Sequence, residues 1–367
     1  MTKIQQGAND RLVSLDFYRG LTMFLLIAEF SNLFPHLLSP EFKGTIIYFI
    51  GTQLRHVDWI GLHFWDLIQP FFMFIVGVAM PLSFAKRMAK GDSYKQITTH
   101  VIKRAFLMLL LGWTLYCIDA GEIVFRFQNV LAQLSVTYLL AFLVIRKSAS
   151  IQIGFSILLI LISESLYRFF PVEGFNNAFV GGENFGAWFN VLISGEKGGG
   201  NWAMFNAIPT AAHTIWGVMA GQLLMSDYSA NKKLRVLLVA GIVGLIIGFG
   251  LSPFTPIIKR IATSTFVFAS GGWALIALAL CYWLIDIKKY QKGVLFFAIV
   301  GMNPLFIYLF SHVGGAKLIS KILLPFSNAL FSWTGELGAQ IILSCIVLFA
   351  LWYICYWLYK RKIFIRI

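Results

Sequence analysis

Proton transfer to or from a substrate asks for an imidazole with carboxylates close by, and one stretch of this chain supplies them: His56-Val57-Asp58-Trp59-Ile60-Gly61-Leu62-His63-Phe64-Trp65-Asp66-Leu67-Ile68-Gln69-Pro70-Phe71-Phe72. Imidazole titrates near neutral pH, so His56, ahead of a long apolar run and partly shielded there, suits a general base. Asp58, two residues on, is placed to orient it or stabilise its charge. Asp66 stands where a helix should begin, so its carboxylate can accept orphan backbone N–H groups, and Pro70 falls at about the fourth helical position, where a missing N–H costs little. The same residues also have a plain structural reading, with His56 a solvated loop residue and Asp66 a helix cap.

Other ionisable and polar groups lie inside apolar runs. Asp16 and Arg19 are three residues apart and hence neighbours on one helix face, where pairing lowers the cost of ions at a membrane edge. Arg19 is also placed to face the phosphates of a nucleotide cofactor. Glu29 lies ten residues further along, about 15 Å up the same helix, near a bilayer midplane where an ionisable residue is expensive and marks function unless it is protonated and bonded to a neighbouring helix. Glu164, Asn206, His213, Asn303 and His312 are further polar groups in or beside apolar runs, each able to bond between helices. Cys117, Cys281, Cys345 and Cys355 show no metal-type spacing, so no metal site is expected and buried, inert thiols are.

The elements that must carry these groups are membrane spans. The 367 residues are 58% hydrophobic and only 13% charged, against about 25% charged in soluble domains. The net charge of +14 does not signal nucleic acid, because the basic residues fall in short clusters between apolar runs. No cleavable signal peptide is expected, since the first apolar run is long enough to span. Runs that fit a spanning helix lie at roughly 15–38, 65–86, 101–119, 129–146, 150–169, 207–226, 234–252, 263–287, 294–313 and 337–360. The segment 314–335, broken by Gly314, Gly315 and Pro325, is a re-entrant piece or an eleventh span. The fold class is therefore all-α, a single domain over 1–367 forming a transmembrane bundle of about ten spans. With that count, twenty of the 30 Lys and Arg fall on one side, from Lys3 and Arg11 through Lys86, Arg104 and Arg146 to Lys360 and Arg366. That side is expected to be cytoplasmic and to hold both termini. The loops 39–64 and 170–206 then face the other compartment, and loops of such length usually do more than connect.

The combination Ser14-Leu15-Asp16-Phe17-Tyr18-Arg19-Gly20-Leu21-Thr22, His56-x-x-Trp59-x-Gly61 and Asp66-Leu67-Ile68-x-Pro70-Phe71-Phe72-x-Phe74-Ile75-x-Gly77 resembles the heparan-alpha-glucosaminide N-acetyltransferase family and its bacterial relatives. Weaker matches continue through Val130-Leu131-x-Gln133-Leu134-x-Val136-Thr137-Tyr138, Trp216-Gly217 with Gly221, and Gly301-Met302-Asn303-Pro304. The resemblance implies a membrane-embedded acyltransferase that takes acetyl from cytoplasmic acetyl-CoA and places it on the amine of a terminal glucosamine, or a related amino sugar or glycan, on the opposite side. It places the family's active-site histidine on His56, as general base or acetyl carrier. Asp58 and Glu29 are expected beside it, Arg19 and Asn303 at the cofactor, and Trp59, Asp66 and His312 at the acceptor. An asparagine of the animal-type members has no clear match in the region of Glu29, Phe30 and Asn32. A bacterial inner-membrane location, contact with membrane lipid and a homodimer are further expectations. The alternatives are a transporter or flippase of a sugar or lipid-linked sugar, and an acyltransferase with a different envelope acceptor.

Overall fold

The structure, a computed structural model, describes residues 12–365. Lys3, Arg11 and Arg366, which enter the charge count above, lie outside the described residues. Among the described residues the chain is helical throughout, with no strand. The helices are α1 (Val13–Phe30), α2 (Leu33–His36), α3 (Ile46–Gln53), α4 (Ile68–Ala89), α5 (Tyr94–Ala120), α6 (Val130–Val144), α7 (Ala149–Phe169), α8 (Phe185–Ser194), α9 (Ala207–Met225), α10 (Ala230–Gly250), α11 (Ser264–Cys281), α12 (Val294–Met302), α13 (Pro304–His312), α14 (Gly315–Phe331) and α15 (Gly335–Lys360).

Among the described residues, six helical segments are long and apolar enough to cross a membrane, or seven if a bent pair counts as one, against the ten expected. The differences have identifiable causes. In α1 the charges of Asp16, Arg19 and Glu29 exceed what a purely apolar span carries. Helix α6 is only 15 residues long. Helix α9 is interrupted by Thr210, His213, Thr214 and Gln222, and most of its side chains are buried within the protein. The run 294–313 breaks at Asn303, where α12 and α13 meet at 70°. Most of the segment 314–335, expected as a re-entrant piece or an eleventh span, forms α14, which packs on α15 and is counted with it as one apolar segment. Helix α10 shows what the outer surface meets: it is among the most apolar segments yet mostly exposed, with Ile242, Val243, Ile246 and Phe249 facing outward. Such a surface is stable against lipid chains and not against water.

Where no apolar driving force operates between helices, close packing depends on small residues. The central pair is α4 with α9. A Cβ placed on Gly77 would lie 2.1 Å from the Thr214 carbonyl oxygen, and one on Gly217 2.2 Å from that of Phe74, so the two backbones touch directly. Gly20 of α1 meets Phe297 of α12 in the same way, at 2.2 Å. These contacts fix α4 against α9 and α1 against α12, and α1 and α4 form two walls of the site.

Candidate active site

Helix α4 is preceded by a short 3-10 turn, Phe64–Leu67, and Asp66 lies in it with a side chain 1% exposed. Its Oδ2 accepts the backbone N–H of His63 at 2.9 Å and that of Val57 at 3.3 Å. Its Oδ1 meets His56 Nδ1 at 2.8 Å. Asp66 thus caps its helix and also grips the imidazole, and the two readings of this residue coincide. The ring itself is 36% exposed, so its other edge is open.

A third group comes from far along the chain. Lys259, in the segment between α10 and α11, is 7% exposed and places Nζ 3.2 Å from His56 Nδ1 and 3.6 Å from Asp66 Oδ1. Its backbone is fixed by Asn206, whose side-chain amide donates to the Lys259 and Arg260 carbonyls at 3.4 and 2.9 Å. The Gly61 N–H, donated to Ile257 O at 2.9 Å, staples the His56 loop to this segment. Glu164 anchors the segment's ends, accepting Thr255 Oγ1 at 2.8 Å, Ser264 Oγ at 2.8 Å and Arg168 Nε at 2.6 Å. Burial lowers the Lys259 pKa from 10.5 to about 8, although Asp66 and Glu29 pull the other way. Burial lowers the His56 pKa as well, opposed by its hydrogen bond to Asp66 and reinforced by the Lys259 charge. The imidazole is therefore held neutral, the form in which it can take a proton.

Trp202 closes the group, its ring 5.6 Å from that of His56 in edge-on geometry and 5.5 Å from Lys259 Nζ. Asn190 of α8, 1% exposed, fixes this loop by donating to the carbonyls of Trp202 and Lys197 at 2.7 and 2.8 Å and accepting the Met204 N–H at 2.9 Å.

His56, Trp202 and Lys259 line one end of a single cavity of about 1110 Å³. Asp16, Arg19, Met23, Leu26 and Glu29 of α1 line it as well, at three- and four-residue steps that keep one helix face turned inward. On α4 the lining runs from Ile68 to Lys86, a rise of about 27 Å against a hydrocarbon core of about 30 Å. The far end holds Arg19, Lys86 and Arg104, together with Phe364 and Ile365 of the C-terminal tail. The cavity therefore joins a cationic mouth to the His56 group over nearly the thickness of a bilayer. Cations at that mouth could hold an anionic cofactor, the mid-section is chiefly apolar, and no metal-type cluster exists among the described residues.

The structure brings some of the sequence candidates together and not others. His56, Glu29, Arg19 and His312 all line the cavity. Glu29 accepts Trp65 Nε1 at 2.9 Å, and His312 packs its ring on Phe30 and Tyr308. Asp66 touches the imidazole and is absent from the cavity lining, a place suited to orienting His56. Asp58 turns away, 88% exposed and paired with Arg55 at 3.1 Å, so orienting the ring falls to Asp66. Trp59 donates to Phe179 O at 2.7 Å, outside the cavity lining. Asn303 is fully buried and does not face the cavity; it donates to Ile363 O at 2.9 Å and accepts the Ile365 N–H at 2.8 Å, holding the tail against the helix bend. Asn32 bonds His36 at 3.4 Å at the surface, so Glu29 is the polar residue of that region that reaches the cavity, beside Phe30. Lys259 and Trp202 were not singled out as site residues by spacing. The one sequence signal for either is the length of the 170–206 loop, in which Trp202 lies.

Residues 11–178 match a family model described as a domain of unknown function (DUF5009). Over 428 aligned residues the chain is 26% identical to heparan-alpha-glucosaminide N-acetyltransferase of Homo sapiens, covering 97% of this chain and 60% of that protein. It is 24% identical over 429 residues to the Mus musculus protein of the same name, covering 99% and 61%. The chain thus spans about 60% of the length of these curated relatives. Along almost all of its own length, this chain is similar to the heparan-alpha-glucosaminide N-acetyltransferases.

Proposed function

We propose that this protein is a transmembrane N-acetyltransferase that draws acetyl from acetyl-CoA at the Arg19–Lys86–Arg104 mouth and delivers it to the amine of a glucosamine or related amino sugar beside His56. The observation that carries the reading is the cavity itself, which connects cations fit for phosphates to an imidazole gripped by a buried carboxylate. The excess of basic residues on the Arg19 side supports a cytoplasmic placement of that side, with donor and acceptor approaching from opposite compartments in this reading.

In the transfer, the amine nitrogen attacks the thioester carbonyl carbon, a C–N bond forms and the C–S bond breaks. His56 Nε2 takes the proton leaving the nitrogen and returns it to the departing thiolate. Asp66 holds Nδ1–H, which leaves Nε2 with its lone pair, as the carboxylate of a catalytic triad does. A positioned base contributes about 10² to 10⁴ in rate and the fixed approach of both reactants adds to it. Trp202 offers a flat apolar face for the acceptor ring. If His56 instead carries the acetyl group, exchange of label between CoA and acetyl-CoA will occur without acceptor, the mark of a ping-pong sequence.

A through-membrane cavity is also what a solute carrier needs, and purified protein in detergent separates the two readings because it has no compartments. Labelled acetyl-CoA and glucosamine should yield labelled N-acetylglucosamine there. His56→Ala should keep its fold and its acetyl-CoA binding yet lose transfer by about 10² or more; near-normal turnover would remove His56 from the mechanism.

A further inference from the structure

His56 Nδ1 has two suitors and can satisfy only one. Asp66 Oδ1, at 2.8 Å, needs a proton on that nitrogen, whereas a Lys259 ammonium, at 3.2 Å, needs a lone pair there. A neutral imidazole has one N–H and one bare nitrogen, so the choice at Nδ1 dictates the state of Nε2. Resting on the reading of His56 as the base, we propose that Lys259 is a positioning residue that selects the His56 tautomer. As an ammonium it donates to Nδ1 and puts the ring proton on Nε2, where no base remains. As a neutral amine it releases Nδ1–H to Asp66 and leaves Nε2 with its lone pair.

The groups facing this pair are few. Lys259 meets His56 and Asp66 from the segment before α4, the charge of Glu29 from α1, the adjacent Arg260 and the ring of Trp202. Asp66 and Glu29 favour the ammonium, while burial and Arg260 oppose it, and the balance places the change near pH 8. Lys259 is too enclosed for water to take its place easily, and Asn206 and the Gly61–Ile257 bond hold its backbone still. Proton transfer at His56 is then governed around pH 8 by the neighbouring amine, acting through the ring tautomer.

Two measurements test this. The first is the ¹⁵N spectrum of histidine-labelled protein in detergent between about pH 6 and about pH 10, with the His56 signals identified by their loss in His56→Gln. The wild type should carry its proton on Nε2 at the acidic end and move it to Nδ1 as the pH passes about 8. Lys259→Met should hold the proton on Nδ1 throughout. One unchanging tautomer in the wild type, or no difference in Lys259→Met, overturns the proposal. This experiment needs no turnover, so it stands even if acetyl transfer is not observed, an outcome that counts against the functional reading alone.

The second is the pH dependence of kcat for acetyl transfer. The acceptor amine titrates alike with every variant, so differences report the protein. Lys259→Met should move the acid limb down by about one pH unit or more. Lys259→Arg, a cation that does not titrate in this range, should be slower than Lys259→Met at neutral pH. Better rescue by Arg than by Met would mean that Lys259 only balances charge, and would overturn the proposal. Size exclusion shows whether each variant folds; if Lys259→Arg does not, the Met profile and the resonances decide.

Discussion

The carboxylate that matters to His56 is ten residues away in sequence and 2.8 Å away in space, while the one two residues away points into solvent. Sequence proximity favours Asp58, but Asp58 is drawn to Arg55 at the surface, and the turn before α4 folds Asp66 back onto the imidazole. Asp66→Asn tests the assignment. The amide keeps the size and can still accept a backbone N–H, but it no longer fixes the imidazole tautomer by charge. Transfer should fall by about 10² to 10⁴, by comparison with removal of the equivalent charge in a catalytic triad, while acetyl-CoA binding is retained. Equal loss of donor binding would assign Asp66 to the fold alone. His56, Glu29 and Arg19 were legible because an ionisable group beside or within an apolar run is costly and therefore informative. Lys259 was not, since one more lysine in a loop carries no such mark until tertiary packing buries it.

At the level of helices and loops, apolar run length located nearly every helix but overstated how many qualify as simple spans. Hydropathy sees composition, whereas α6 and α9 are walled in by other helices and tolerate buried polar groups that bond locally. The helix contact through Gly77 and Gly217 leaves no room for a side chain. Gly217→Leu should force α9 from α4 and lower stability by about 1–3 kcal/mol or more, seen as a reduced Tm in detergent. An unchanged Tm would mean that the two helices can separate freely. The segment 251–263 depends on Glu164 in a different way. Glu164→Gln weakens the ionic contact with Arg168 and one or both of the hydroxyl contacts, at about 1–3 kcal/mol for bonds to a charged group. Faster amide hydrogen exchange across 251–263, with the α4–α9 pair unaffected, is the expected signature. Spacing of residues could not reveal this anchor, because its members lie on α7, on α11 and in the intervening segment.

Taken whole, the helices enclose one long cavity, and on the proposed reading the donor and acceptor chemistries lie at its two ends. Cutting the path between them should stop transfer without harming either. Val76 lines the cavity along α4, between Ile68 and Lys86. Val76→Trp should abolish acetyl transfer by about 10² or more while an adenosine 3′,5′-bisphosphate fragment, which lacks the pantetheine arm, still binds; persistent transfer would show that the arm takes another route. That a cavity joins these ends was not readable from the chain, since its wall is assembled from helices distant in sequence. One further feature bears on how the protein can be handled. Asn303 ties the backbone of residues 363 and 365 to the bend between α12 and α13, and residues 364 and 365 form part of the cationic mouth. On the proposed reading, a bulky group attached at residue 364 or 365 would stand at the door through which a nucleotide comes, so a donor affinity measured on such a derivative reports the attachment as well as the protein.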